Sequence, residues 1–382
     1  MVMRASPDEP RRPTLREIAL RANLSRASVS IILGNPETAA ERFRPETIER
    51  VRRIAAEVGY QTNLMAVSLK KFRSPFFGLI LRGTGEVDAI SWHHQAFEGQ
   101  FQAGVVTAAR VARLFPVVAT QDAPEGIDVW GLVREVLDGG VCAAVLRTPV
   151  GGIEAAIHER MARGFPMVVV VPDQPDHYAS NVIDMDNAAG GRRAAELLHA
   201  AGRTRWVLIR DQMPREALAL REQGMAAVAV AAGARLEVLA IPDGFGELEI
   251  LHWLVPLLSD LRPDGIYAAS SVAAVGALLA CQQAGLRVPE DTCLVGCDAS
   301  LWRASGCPAI TSIDVSWHAV GELAVQRMVE LQKQGRSTFE SVKLPPHVRR
   351  GGTCPGGDHD PPRIVGRACR ARRWGRALLP QS

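Results

Sequence analysis

Apolar residues close to the start of the chain recur at the spacing of a short helix. The first predicted helix has four apolar residues on one face: Leu15, Ile18, Ala19 and Ala22. Thr14 precedes it as a helix-capping residue, and Glu17 three positions later completes a capping box. Asn23 then tolerates the left-handed backbone that a tight turn requires. The pattern predicts a helix that ends in a sharp turn at residue 23.

A second short helix follows the turn, and its two faces differ in character. Ser25 caps it, and three apolar residues face back onto the first helix: Val29, Ile32 and Leu33. Its outward face carries Arg26, Ala27, Ser28, Ser30 and Ile31. Small side chains let the backbone approach duplex DNA, hydroxyls bind phosphates or base edges, and Arg26 can reach guanine or phosphate. The pair predicts a helix in the major groove, and an ordinary helical hairpin within a larger core is the alternative.

A third helix is predicted over residues 44–58, with Pro45 in its first turn and Gly59 at its end. Its inner face consists of Ile48, Val51, Ile54 and Ala55. Residues 35–42, between the second and third helices, have the character of an insertion. After Gly59 the chain continues as Tyr60-Gln-Thr-Asn-Leu-Met-Ala-Val-Ser-Leu-Lys-Lys71, a segment of Asn, Ala, Leu and Lys.

Together these segments resemble the DNA-binding head of the lactose-repressor (LacI/GalR) family of bacterial transcription regulators. The residues that match the family pattern are spread over nearly sixty positions: Thr14, Glu17, Ile18, Ala19, Ala22, Ser25, Val29, Ser30, Glu46, Thr47, Arg50, Val51, Gly59, Tyr60, Asn63, Ala66 and Leu69. The resemblance implies DNA contacts by Thr14, Ser25, Arg26, Ala27, Ser28, Ser30, Asn63, Ala66 and Leu69.

In that family the last segment is a hinge helix, which folds when two subunits lie side by side on the operator. A leucine from each hinge enters the minor groove as an apolar wedge, and Leu69 matches that leucine. Ile31 and Val67 stand where many members carry a polar residue. These two departures leave the operator sequence open.

Beyond residue 74, apolar runs alternate with segments of helical period. Strands are predicted at residues 76–81, 115–119, 141–146, 167–171, 181–183, 205–209, 236–240, 265–268 and 292–296. Buried strands that alternate with helices form parallel sheets covered on both faces. The predicted fold is an all-α helix-turn-helix head followed by an α/β body of two doubly wound parallel-sheet lobes. A ligand is expected between the lobes, at the carboxyl ends of the strands.

The body is similar to the periplasmic-binding-protein-like effector domain of the same family. Its motifs include Asp186-Asn-Ala-Ala-Gly-Gly191, Arg221-Glu-Gln-Gly224 and Val295-Gly-Cys-Asp298. The resemblance implies a small-molecule effector, and the candidate contacts are Trp92, His93, Arg147, Arg221, Ser271 and Asp298. Ser271 stands where the family often has an aspartate that binds a pair of sugar hydroxyls. Two arginines beside a cleft that lacks this aspartate favour an anionic effector, such as a sugar acid or a phosphorylated sugar.

Charge is distributed unevenly along the chain. Residues 1–73 hold fourteen Lys and Arg against eight Asp and Glu, whereas the net charge of the whole chain is only +3. A basic head on an acidic body is typical of a protein that binds DNA at one end. We expect no membrane span and no secretory leader. The seven cysteines show no CxxC spacing, which favours reduced thiols and predicts neither a metal nor a cofactor.

The sequence therefore predicts a helix-turn-helix domain at residues 13–62, a hinge helix at 63–73, a two-lobed effector-binding and dimerisation domain at 74–353 and a basic, disordered tail at 354–382. The predicted protein is a cytoplasmic homodimer, nucleoid-associated on its operator, that represses transcription from a near-palindromic site. Its effector is expected to be a sugar or sugar derivative, and the protein is not expected to be an enzyme. Two alternatives stay open: a solute-binding protein of a transport system, and an α/β enzyme with an accessory DNA-binding head.

Overall fold

The computed structural model describes residues 13–34, 36–60, 74–82, 90–121, 129–149, 153–212, 215–299 and 308–355. They group into two compact units that divide after Pro75. The described part of the first unit is helical, and the second unit holds two six-stranded sheets. The predicted fold class is therefore confirmed. Among the described residues, no helix has the length and apolar character needed to cross a membrane.

The described residues of the first unit, called the head, form the helices α1 (Leu15–Ala22), α2 (Arg26–Gly34), α3 (Pro36–Arg42) and α4 (Pro45–Glu57). Its buried core consists of Ile18, Ala19, Ala22, Val29, Ile32, Ala39, Val51, Ile54 and Ala55. Helix α3 covers most of the insertion-like stretch at residues 35–42. Pro36 opens this helix, as proline does in a first turn, and Ala39 is completely buried in the head core.

The strands of the second unit, called the body, are β1 (Phe76–Leu81), β2 (Phe115–Thr120), β3 (Ala144–Arg147), β4 (Met167–Val170), β5 (Val182–Met185), β6 (Arg205–Asp211), β7 (Arg235–Ile241), β8 (Gly265–Ala268), β9 (Cys293–Cys297), β10 (Thr311–Asp314), β11 (Val342–Leu344) and β12 (His347–Arg349). Its described helices are α5 (Ile90–Ala112), α6 (Val129–Asp138), α7 (Glu154–Ala162), α8 (Asn187–Ala200), α9 (Glu216–Ala232), α10 (Glu247–Leu261), α11 (Ser271–Gln283) and α12 (Trp317–Gln334), and a 3-10 turn lies at Pro175–His177.

Each lobe contains one sheet. Lobe 1 has the strand order β2-β1-β3-β4-β5-β11, and all of its neighbouring strands are parallel. Lobe 2 has the order β7-β6-β8-β9-β10-β12, in which only the β10–β12 pair is antiparallel. Strands β3, β4, β8 and β9 are buried along their whole length. This burial on both faces explains why they appear in the sequence as continuous apolar runs.

The chain crosses between the lobes three times: from β5 to α8, from β10 to α12, and from β11 to β12. As a result α12 packs on α5 in lobe 1, although it follows the last strands of lobe 2 in sequence. Apolar periodicity does not predict such crossings. It identifies which face of a helix or strand is buried, but it does not identify the element that packs against that face. The crossings bring residues from distant parts of the chain to the cleft between the lobes.

Candidate DNA-binding surface and effector cleft

The turn between α1 and α2 has the geometry that the sequence predicted. Asn23 adopts the left-handed conformation with φ 49° and ψ 49°. The Ser25 hydroxyl accepts a hydrogen bond from the Ser28 amide at 3.0 Å and thereby caps α2. At the start of α1, the Thr14 hydroxyl accepts from the Glu17 amide at 3.3 Å. The Glu17 carboxylate pairs with Arg21 at 3.0 Å, because these side chains lie one helical turn apart on the exposed face of α1.

The two faces of α2 differ in burial as expected. Val29 and Ile32 are buried against the other head helices. Arg26 and Ala27 are exposed, whereas Ser28 and Ser30 are half-buried at the edge of the outer face. The Ser28 hydroxyl lies 2.9 Å from the Ser25 hydroxyl, so the two share a hydrogen bond. The other predicted DNA contacts, Asn63, Ala66 and Leu69, lie outside the described residues, as does Val67.

In lobe 1, Arg147 at the carboxyl end of β3 lies beside the cleft but is only 5% exposed. Its Nε lies 3.0 Å from Glu98 Oε1 of α5, and its Nη1 donates to the Thr148 hydroxyl at 2.6 Å. Its guanidinium stacks on the ring of Trp317, 4.5 Å from the ring centroid. Burial raises the pKa of Glu98, while the facing Arg147 charge lowers it. Arg147 is therefore held by contacts within lobe 1.

In lobe 2, Arg221 projects from α9 toward the carboxyl end of β8. Its Nε donates to the Asn187 side-chain carbonyl at 2.9 Å, and its Nη1 donates to the backbone carbonyl of Ala269. Asn187 is fixed in turn, because its amide nitrogen donates to the Met185 carbonyl at 3.1 Å. The neighbouring motif residue Asp186 caps α8 by accepting from the Ala189 amide at 2.8 Å. Neighbouring residues at the start of α8 thus have two roles: Asp186 caps α8, and Asn187 orients Arg221 of α9.

Two pairs of glycines bring helices into backbone contact. A Cβ on Gly191 would overlap the Arg221 carbonyl, and one on Gly224 would overlap the Ala188 carbonyl, so α8 and α9 touch directly. In lobe 1, a Cβ on Gly104 would overlap the His318 carbonyl, and one on Gly321 would overlap the Phe101 carbonyl. Helices α5 and α12 are therefore packed in the same way. Gly191 ends the motif that starts at Asp186, and Gly224 ends the motif that starts at Arg221. Both glycines allow α8 and α9 to approach closely, and this packing fixes the position of Arg221.

Asp298 links the two lobes across the cleft. It follows β9 in lobe 2 with a left-handed φ of 52°, and its Oδ1 accepts from Trp317 Nε1 of α12 at 3.0 Å. Burial and the neighbouring Asp314 carboxylate raise the pKa of Asp298 to about 7. Burial also raises the pKa of Asp184, at the end of β5, to about 6 despite a hydrogen bond from the Met185 amide. Carboxylates from both lobes therefore gather around the cleft in an environment that disfavours their charge.

Comparison with known proteins covers both the head and the body. A family model described as a periplasmic binding protein-like domain matches residues 195–354. The HTH-type transcriptional regulator CelR of Thermobifida fusca is 27% identical over 345 residues, which are 87% of this chain and 95% of CelR. The ribose operon repressor of Haemophilus influenzae is 25% identical over 338 residues, which are 87% of this chain and 96% of that repressor.

Over most of its length the chain is therefore similar to these transcription regulators, in agreement with the resemblance of its sequence to the LacI/GalR family. The architecture agrees with this similarity. A solved structure of the lac repressor dimer bound to operator and the anti-inducer ONPF superposes with a TM-score of 0.74 at 22% identity, covering 90% of this chain and 99% of that chain. The likeness extends over the helical head and both lobes, which confirms the fold that the family resemblance implied.

The structure differs from the sequence-based prediction at the cleft between the lobes. Ser271 is the first residue of α11 and is buried, while its neighbour Ser270 caps that helix by accepting from the Ala273 amide at 3.3 Å. Trp92 and His93 were predicted in the opening loop of lobe 1, but the backbone there forms the first turn of α5. The side chains of Trp92 and His93 lie outside the described residues.

Four residues that contribute to the cleft had no predicted role: Glu98, Asp184, Asn187 and Trp317. Asn187 lies in the Asp-Asn-x-x-Gly motif, so the motif itself was a usable signal for it. No local pattern marks Glu98 or Trp317, because their partners Arg147 and Asp298 are distant in sequence. Within the described ranges, no group of three His, Cys, Asp or Glu side chains is placed to bind a metal ion.

Proposed function

We propose that this chain is a transcriptional repressor of the LacI/GalR family that acts as a cytoplasmic homodimer and associates with the nucleoid when it occupies its operator. Its affinity for a near-palindromic operator is controlled by a small metabolite, a sugar or sugar derivative, that binds between the two lobes. The observation that carries the proposal is the head turn, where left-handed Asn23 and the Ser25 cap present the outer face of α2 to solvent.

The head recognises DNA through α2. Arg26 binds a guanine or a phosphate, and Ala27 allows close approach of the backbone to the bases. Thr14, Ser25, Ser28 and Ser30 bind phosphates or base edges around it, although Ser25 and Ser28 also bond to each other. By resemblance, Asn63, Ala66 and Leu69 contribute the hinge contacts, with Leu69 in the minor groove.

The proposed boundaries are residues 13–62 for the head, 63–73 for the hinge and 74–353 for the body, with a basic tail at 354–382.

The effector binds at the carboxyl ends of the parallel strands, as ligands do in doubly wound sheets. Arg221 and Asp298 are the proposed contacts from lobe 2, with Ser271 beside them. Arg147 supports the site from lobe 1, together with Trp92 and His93 at the start of α5. Relatives support this effector class, because one similar structure is a CelR–cellobiose complex and another is a LacI-family regulator with bound ribose. The relatives are regulators, so we propose that this chain acts without turnover of its ligand.

The homodimer forms through an apolar face, which we define as the exposed residues of α5, α9 and the two edge strands β2 and β7. In lobe 1 these residues are Val106, Val111, Phe115, Val117 and Val118, and in lobe 2 they are Val230 and Val238. Both strands lie at the end of their sheet. Exposed apolar edges of this kind mark sites of protein association. Contacts in both lobes allow a change in lobe geometry to reach the subunit contact.

The decisive experiment is selection of duplexes bound by the full-length protein from a random DNA pool. We expect enrichment of a near-palindrome. Arg26→Ala should then weaken binding to the selected duplex by about tenfold or more, the effect of losing one good base or phosphate contact. Arg53→Ala is the matched control, because Arg53 is an exposed arginine of α4 that pairs with Glu57. Absence of any enriched palindrome, or equal losses for both variants, would contradict the proposal.

A further inference from the structure

Trp317 lies where the chain crosses from lobe 2 into lobe 1. It is the first residue of α12, whose N-terminus is capped by the Ser316 hydroxyl. Its indole is only 6% exposed, and its Nε1 donates to the Asp298 Oδ1 at 3.0 Å. Because Asp298 belongs to lobe 2 and α12 packs in lobe 1, one side chain makes a hydrogen bond from one lobe to the other.

The face of the same indole supports a charged pair of lobe 1. The Arg147 guanidinium lies 4.5 Å from the ring centroid, the geometry of a cation–π contact. Arg147 in turn pairs with Glu98 of α5 at 3.0 Å, and both of these side chains are at most 8% exposed. The side chains of Asp298, Trp317, Arg147 and Glu98 therefore form a continuous row from lobe 2 to α5.

Helix α5 follows any displacement of α12, because no side chain separates the two backbones. Gly104 and Gly321 face backbone atoms of the opposite helix so closely that neither position has room for a Cβ. A close-packed pair of this kind transmits a shift instead of absorbing it. On its other side, α5 exposes Val106 and Val111, which belong to the apolar face assigned to the second copy.

We propose that Trp317 is a positioning residue that couples the effector cleft to the subunit contact, because it competes with the effector for Asp298. A ligand whose hydroxyl or amine donates to Asp298 takes the acceptor from the indole, and α12 and α5 then move together. The proposal rests on the proposed function, since it assumes that the cleft binds the effector. The ligand shifts the lobes only as far as it binds the two states with different affinity.

The test compares Trp317→Phe with a matched control, Trp253→Phe. Trp317→Phe keeps an aromatic ring beneath Arg147 but removes the N–H donor together with part of the ring volume, whereas Trp253 is a half-buried tryptophan of α10 in lobe 2 that controls for the loss of volume. Hydrogen exchange of the full-length protein without ligand gives the readout. For Trp317→Phe we expect exchange about fivefold faster or more both in α12 and in α5, with α5 within about twofold of wild type in the control.

A second variant separates coupling from packing. Asp298→Ala removes the acceptor and should reproduce the faster exchange of α5, and the double variant should add nothing to it. Faster exchange confined to the first turns of α12 would mean local packing alone and would overturn the proposal. So would additive effects of the two substitutions.

Binding to the duplex that the wild type selects from a random pool gives an independent readout. Trp317→Phe should change its Kd by about fivefold or more, and Trp253→Phe by less than about twofold. If the wild type selects no duplex, the proposed function fails, but the exchange of α5 still decides the coupling. If the duplex is bound equally well by Trp317→Phe and its α5 exchange is unchanged, the coupling is wrong while the repressor function stands.

Discussion

Lobe 1 and lobe 2 each direct one arginine toward the cleft, but they hold it in different ways. Arg147 of lobe 1 pairs with the Glu98 carboxylate at 3.0 Å and stacks on an indole. Arg221 of lobe 2 donates instead to the neutral amide of Asn187, at 2.9 Å. The charge of Arg147 is compensated within its own lobe, whereas the anchor of Arg221 carries no charge. The comparison indicates that a buried ion pair holds Arg147 within lobe 1, whereas a neutral amide orients Arg221 in lobe 2.

This difference revises the argument for an anionic effector. That argument counted two arginines, but the Arg147 charge is already paired with Glu98. Arg221 is surrounded by the carboxyl groups of Asp184 and Asp298, whose pKa values burial raises to about 6 and about 7. An added anion would disfavour their ionised forms further, whereas hydroxyl or amine donors would stabilise them. We infer that a donor-rich effector suits the cleft better than an anionic one.

Both lobes contain a helix pair in backbone contact at glycines: α8 with α9 in lobe 2, and α5 with α12 in lobe 1. Substitutions at these glycines should have the largest effect on the free energy of unfolding. Gly191→Ala, Gly224→Ala, Gly104→Ala and Gly321→Ala each place a Cβ onto a carbonyl of the facing helix. Overpacking against backbone cannot be relieved by a rotamer change, so we expect each substitution to lower the free energy of unfolding by about 3 kcal/mol or more. Urea denaturation of the full-length protein measures the loss.

Gly99→Ala is the control within α5. An added Cβ at Gly99 meets no atom within 4 Å, and Gly99 is exposed. Because alanine is the better helix former, this substitution should stabilise the protein by about 0.5–1 kcal/mol. If Gly104→Ala behaved like Gly99→Ala, α5 and α12 would not be in backbone contact in solution.

The next effect concerns the compensated arginine of lobe 1. Glu98→Gln keeps the shape of the side chain but leaves the Arg147 charge buried without its carboxylate. Breaking a buried ion pair from one side is strongly destabilising, and we expect a loss of about 2–3 kcal/mol in the free energy of unfolding. The exposed pair of Arg163 and Glu159 gives the control, since Glu159→Gln should cost less than about 0.5 kcal/mol. Equal costs would show that the Arg147–Glu98 pair is solvated.

The lobes themselves were predictable from the sequence, and the row of cleft contacts was not. Strands such as β1 and β8 are short apolar runs buried on both faces, so their periodicity alone identifies them. Asn23 and Ser25 were identifiable because turn and cap chemistry depends on neighbours within a few residues. Trp317 meets Asp298 only because β10 leads the chain from one lobe into the other, and no local pattern records that crossing.

Side-chain pairing limits the prediction of the site in the same way. Arg147 was a sound candidate by position, since it ends a strand that points at the cleft. Its partner Glu98 lies on a helix about fifty residues earlier, and the sequence gives no reason to prefer it over other acids. Asn187 was within reach of prediction, because it occupies a quoted motif whose aspartate and glycine have local roles.

The neutral anchor of lobe 2 should matter less to stability than Glu98 does. Asn187→Ala removes the hydrogen bonds to Arg221 and to the Met185 carbonyl. Because the asparagine amide is neutral, the substitution does not leave a buried charge without an oppositely charged partner. We therefore expect a loss of about 1–2 kcal/mol in the free energy of unfolding. Any sugar found to raise the melting temperature of the wild type should lose that effect in the variant, because Arg221 is then no longer oriented. A larger destabilisation than that of Glu98→Gln would reverse the comparison between the lobes.

The smallest expected effect is a pH dependence that belongs to Asp298. Burial and Asp314 raise its pKa to about 7 in the folded protein, against about 4 in an unfolded chain. Between these values the folded state binds more protons than the unfolded state, so its stability falls as pH rises and levels off above about 7.

The comparison with Asp298→Asn isolates that contribution, since asparagine keeps an acceptor for the Trp317 indole but does not titrate. From about pH 6 to about pH 7, the unfolding free energy of the wild type should fall by about 1 kcal/mol more than that of Asp298→Asn. Parallel curves for wild type and Asp298→Asn would mean that the Asp298 carboxylate is fully hydrated, and the cleft would then be open around it instead of bridged by Trp317.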